Sequence, residues 1–105
     1  MNAPRTDKAV RTVIVDEIPV EYRDLTMRED RECRDDSTIF TGTTRAFRPF
    51  LYLENRMRKM VVKIGDEPVD RDSHVWLELD SNFGDALLKA LLPNEESFLG
   101  GHSSG

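Results

Sequence analysis

Cysteine is nearly absent from this sequence. Cys33 is the sole thiol, which excludes an intrachain disulfide and a cysteine-built zinc site. Histidine is almost as scarce, with only His74 and His102, so general-base catalysis and metal ligation have few residues to draw on. No glycine-rich phosphate loop occurs, and no Gly-x-Ser-x-Gly elbow. No apolar run approaches the roughly 18 residues of a membrane span. The opening Met1–Lys8 stretch lacks the apolar centre of a signal peptide. These absences lead to the expectation of a cytoplasmic, non-enzymatic protein with no cofactor, no metal and no membrane contact.

Charge is what the chain has in plenty. One third of its 105 residues are charged, against about a quarter in an average protein, so one small core is the most it can build. The net charge of −5 repels phosphate at long range and weighs against indiscriminate coating of duplex DNA. The charges are also sorted. From Arg45 to Lys63 they are Arg45, Arg48, Arg56, Arg58, Lys59 and Lys63 against Glu54 alone. From Asp66 to Asp80 they are Asp66, Glu67, Asp70, Asp72, Glu78 and Asp80 against Arg71.

Along the chain, residues 1–8 read as a disordered arm, 9–93 as one domain and 94–105 as a disordered tail. Val10, Thr12 to Val15 and Val20 are β-branched on either side of Asp16-Glu17-Ile18-Pro19, which predicts a hairpin over 9–25. Thr26 to Ser37 is almost wholly charged. It reads either as an exposed helical turn or as a mobile loop, and the lack of anything to bury favours the loop. Thr38 to Phe47 returns to strand character, with Gly42 at a bend.

Phe50 to Ile64 admits two readings. As a helix, Pro49 takes the first position and Phe50, Leu53, Met57, Met60 and Val61 share a stripe. As strands, Phe50–Leu53 and Met60–Ile64 flank a polar tip at 54–59, with Met60, Val62 and Ile64 inward and Val61 and Lys63 outward. Val61-Val62 and Gly65 favour strands. His74 to Leu79 alternates, placing Val75, Leu77 and Leu79 inward and Trp76 partly exposed. Asn82 to Leu92 predicts a helix capped by Asp80 or Ser81, with Phe83, Leu87, Ala90 and Leu91 on its apolar stripe and Pro93 ending it.

The order Tyr52-Leu53-Glu54-Asn55, a β-branched strand, a turn at Gly65, then Asp72-Ser73-His74-Val75-Trp76-Leu77 resembles small OB-like proteins of plasmids and phages. The resemblance covers about residues 52–80 and implies a core-closing Trp. Ser73 and the helical end depart from that pattern and count against full barrel closure.

The fold class these readings predict is α+β: about five antiparallel strands, curled into a partly open barrel, with one C-terminal helix. The expected core is Val13, Val15, Ile39, Phe50, Met60, Val62, Ile64, Val75, Leu77, Leu79, Phe83, Leu87 and Leu91. Two binding functions follow. In the first, single-stranded nucleic acid lies on a strand face where Arg45, Arg48, Arg56, Arg58, Lys59 and Lys63 follow phosphates and Phe50 and Tyr52 stack bases. In the second, an acidic adaptor or inhibitor docks on a larger protein through Trp76 and the acidic turns, with Asp66, Glu67, Asp70 and Asp72 as contacts. A homodimer through a sheet edge suits either.

Overall fold

Two hairpins and three helices of ten to twelve residues supply most of the frame. The computed structural model describes residues 3–6 and 8–93. Strands β1 (Arg11–Val15) and β2 (Ile18–Tyr22) form the expected first hairpin. Its break is shorter than the sequence suggests. Only Asp16 and Glu17 turn, both at positive φ (48° and 70°), as a two-residue hairpin loop requires. Pro19 lies inside β2, paired with Ile14.

Helix α1 (Met27–Asp36) replaces the expected loop. Its start is a capping box: Thr26 Oγ1 accepts from the Glu29 amide at 3.2 Å, and Glu29 Oε1 accepts from the Thr26 amide at 3.0 Å. Asp30 and Arg34 pair one turn apart at 3.0 Å. Only Cys33 is buried, so capping and ion pairs carry a helix with no apolar stripe.

Strands β3 (Thr38–Thr41) and β4 (Thr44–Phe47) make a second, separate hairpin that turns through Gly42 at φ 62°. Helix α2 (Pro49–Met60) follows and corrects the strand reading of this segment. Pro49 sits where its missing N–H costs nothing, and Arg58 and Lys59 in the last turn suit the helix dipole. Tyr52, Leu53, Met57 and Met60 are buried, so the stripe at 53, 57 and 60 decides the conformation by tertiary packing. The chain passes without a loop into β5 (Val61–Ile64), then into the short β6 (Glu67–Pro68).

The main sheet runs β1-β2-β5-β6, antiparallel throughout and open at β1 and β6, so the expected barrel is not closed. A register shift at Glu21/Tyr22 pairs Val20 with Ile64 but Tyr22 with Val61. That bulge leaves Val62 without a partner on β2 and buries Val61, which the alternation placed outward, while Met60 is buried and Ile64 packs on the core as expected.

Residues 74–79 correct a second strand. They hold a single helical turn, α3 (Val75–Glu78), followed by α4 (Ser81–Leu91). Asp80 caps α4 by accepting from the amides of Asn82 and Phe83, each at 3.1 Å. Phe83, Leu87 and Leu91 face inward as expected, and α4 packs on β1 and α2. The single C-terminal helix is thus one of four among the described residues.

Of the expected core, Val15, Met60, Phe83, Leu87 and Leu91 are buried, whereas Phe50 and Leu77 are exposed. Val20, Cys33, Tyr52, Leu53, Met57, Val61, Val69, Trp76 and Leu92 join it instead. Of the expected arm, Thr6 Oγ1 donates to the Leu25 carbonyl at 3.2 Å. The tail over 94–105 lies outside the described residues.

The α1 cap carries a pH prediction. Glu29 Oε2 accepts from Arg23 Nη2 at 2.6 Å, and this hydrogen bond, reinforced by the Thr26 amide, holds its carboxyl down at about 2. A carboxyl whose folded pKa is depressed stabilises the fold above its ordinary value of 4.5 and loses that contribution as pH falls toward 2. Acid melts are expected to lose roughly 1–2 kcal/mol through this group over that window, after allowance for solvent screening. Glu29→Gln should flatten that part of the profile, and a slope unchanged by the substitution would contradict the assignment.

Candidate functional site

Helix α2 divides the basic ribbon into two sets. Arg56, Arg58 and Lys59 project from a helix instead of a strand face, and each meets a carboxylate. Arg56 Nε lies 3.5 Å from Asp30, Arg58 reaches Glu54 at 2.8 Å, and Lys59 pairs with Glu32. Tyr52 is buried, and its hydroxyl donates to Asp30. The Arg34 and Arg56 guanidinium groups sit over its ring, 4.9 and 5.7 Å from the centroid. Burial pushes the Asp30 carboxyl up, but the hydrogen bonds from Tyr52 and Arg34 outweigh it and hold the group below its ordinary value. Burial and the same hydrogen bond push the Tyr52 phenol up. These residues form a structural seam between α1 and α2. Thr26-x-x-Glu29 and the four-residue spacing of Glu54 and Arg58 are the sequence signals that point to the two helices.

The remaining ribbon residues lie elsewhere. Lys63 is on β5, 3.9 Å from Glu21. Arg45 and Arg48 are exposed on and just after β4, and Phe50 opens α2 with 67% of its surface exposed. Phe40, which the sequence did not single out, is exposed opposite Arg45, whose guanidinium stands 5.4 Å from its ring centroid. Phe47 is partly exposed and leans on Tyr52, with ring centroids 5.5 Å apart.

The expected interface also separates. Trp76 is buried, and its indole N–H donates to the Asp70 carbonyl at 2.6 Å, so it anchors the 70–76 loop and is not an exposed contact. Asp70 folds that loop locally, accepting from the Asp72 amide at 2.9 Å. Asp66, Glu67 and Asp72 remain exposed. Burial pushes the Cys33 thiol up, away from nucleophilic use. Among the described residues, no group of three or more His, Cys, Asp or Glu side chains could hold a metal ion. Among them, no helix is long and apolar enough to cross a membrane.

One concavity is bounded by α2, α3 and α4. Phe50, Glu54, Met57 and Arg58 line it from α2, Trp76 and Leu77 from α3, and Gly84, Asp85 and Leu88 from α4. Its volume is about 420 Å³, within the range of binding clefts. Phe50 and Leu77 both line it while remaining 67% and 75% exposed. The turn of α3 explains Leu77: burying Trp76 leaves the adjacent side chain pointing outward. The groove needs α2 and α4 side by side, so no single stretch of sequence announces it.

Compared with known proteins, the chain matches no family model, no curated protein and no solved structure.

Proposed function

We propose that this chain is a small non-enzymatic binding module that docks on a larger protein. The observation that carries this reading is the pair Phe50 and Leu77, two large apolar side chains left in solvent on one groove while Tyr52, Leu53 and Trp76 beside them in the chain are buried. Exposed apolar surface rimmed by charge is the usual mark of a protein contact. The net charge of −5 favours a basic partner.

A second reading keeps single-stranded nucleic acid as the ligand, moved from a strand face to the β3–β4 hairpin. There Arg45 and Arg48 lie exposed near Phe40, Phe47 and Phe50, the mixture of cations and rings that stacks bases. Arg56, Lys59 and Tyr52 no longer contribute, because α1 engages them, and Arg58 is held by Glu54 within α2.

Capture on tagged protein from nuclease-treated extract of the producing cells separates the two. The docking reading expects a stoichiometric protein that Leu77→Asp loses and that Arg45→Glu with Arg48→Glu retains. Capture indifferent to Leu77→Asp overturns it. Salt-sensitive binding of an oligonucleotide that the paired arginine reversals abolish supports the hairpin reading.

A further inference from the structure

The groove's walls are two helices, and their spacing describes an occupant. Phe50, Glu54, Met57 and Arg58 fall on one face of α2 over two turns, about 12 Å at 1.5 Å per residue. Ser81, Gly84, Asp85 and Leu88 do the same on α4, which packs against α2. Two adjacent helices present ridges that accept a third helix.

Gly84 is the second clue. Glycine inside a helix is less favourable than alanine. A Cβ built there would meet nothing within 4 Å, so the fold does not require its absence. Gly84 lines the groove, and a missing side chain there deepens the floor for an incoming helix.

Charge supplies the third. The lining carries Glu54, Asp80 and Asp85 against Arg58 alone, and Arg58 is held by Glu54. A phosphate backbone is repelled by such a rim. A second copy seated groove to groove would set the same carboxylates against each other. A strand is a poor fit, because the walls offer helix sides and no open sheet edge.

We infer that the groove between α2, α3 and α4 seats a short amphipathic helix of the partner, apolar on its buried face and bearing Lys or Arg along its edges. This rests on the docking reading above and names the class of partner for that site. Leucines at i, i+3, i+4 and i+7 fill the space between Phe50, Met57, Leu77 and Leu88, and the flanking cations meet Glu54, Asp80 and Asp85.

The probe is a synthetic peptide of about 14 residues, long enough for a marginal helix, with Leu at those spacings, Lys elsewhere and no aromatic residue. Trp76 is the only tryptophan and lines the groove, so its emission reports occupancy without a label. The expected result is saturable one-to-one binding with a change in Trp76 emission. Affinity should fall at least about tenfold for Leu77→Asp, for Gly84→Leu and for a matched Glu/Leu peptide. Gly84→Leu should not lower the melting temperature, which separates a filled groove from a damaged fold.

Equal binding of the Lys and Glu peptides, no response at low salt, or binding untouched by both groove variants overturns the inference. So does a doubling of mass with concentration that Leu77→Asp removes, which assigns the groove to a second copy. If the peptide fails while Leu77→Asp still abolishes capture of a protein partner, the docking reading stands and the helical class falls. If capture also persists in Leu77→Asp, both fall.

Discussion

Glu54→Pro is expected to destabilise the domain by about 3 kcal/mol or more, a large share of the roughly 5–15 kcal/mol that holds a domain of this size. Glu54 is exposed in the second turn of α2, so its side chain is not part of the core. Proline there removes a helical hydrogen bond and drives its ring against the Phe50 carbonyl. The same substitution at the tip of a hairpin, where the strand reading placed residue 54, costs little because a tip N–H faces water. Glu54→Gly loses the same Arg58 pair but keeps the backbone N–H, and should cost only about 1–1.5 kcal/mol, helix propensity plus one i,i+4 ion pair. Urea unfolding measures both, with the midpoint moving and the slope unchanged. A stability loss below 1 kcal/mol for the proline variant would contradict the helix.

Leu53→Ala is expected to cost about 2–5 kcal/mol, since Leu53 is fully buried and its truncation leaves an apolar cavity. Phe50→Ala and Leu77→Ala remove more exposed apolar surface and should each change stability by no more than about 0.5 kcal/mol. The contrast matters because the strand reading reverses it, with Phe50 and Leu77 in the core. Near-equal losses at the three positions would overturn the assignment of α2 and α3. The two surface variants serve a second purpose: they weaken docking without unfolding the protein.

Local chemistry made part of this fold legible. The β1–β2 hairpin follows from β-branched residues around the break at 16–19, although only Asp16 and Glu17 turn, and α4 follows from Asp80, the 83/87/91 stripe and Pro93. Helix α1 left no apolar signal, because its stability comes from the Thr26–Glu29 box and from pairs with α2 such as Lys59–Glu32. Helix α2 was ambiguous locally, since Val61 and Val62 belong to a strand that begins at the residue after Met60. Only packing of Leu53, Met57 and Met60 resolves it.

The candidate residues divided for the same reason. A run of cations reads as one surface only if the chain is extended. Winding it into α2 sends Arg56 and Lys59 to the carboxylates of α1, while Arg58 closes on Glu54 within the helix. The alternation at 74–79 likewise suggested a strand with Leu77 inside. The Trp76 hydrogen bond to Asp70 instead fixes a turn of helix with Leu77 outside. The groove therefore depends on two segments whose conformation is set by distant partners.

Carbon-13 Cα chemical shifts across residues 49–60 test that dependence most directly. The account predicts one unbroken run displaced to the helical side of random coil, ending at Val61. Two extended runs separated by a coil-like stretch at 54–59 would contradict it, and the groove would lose its α2 wall.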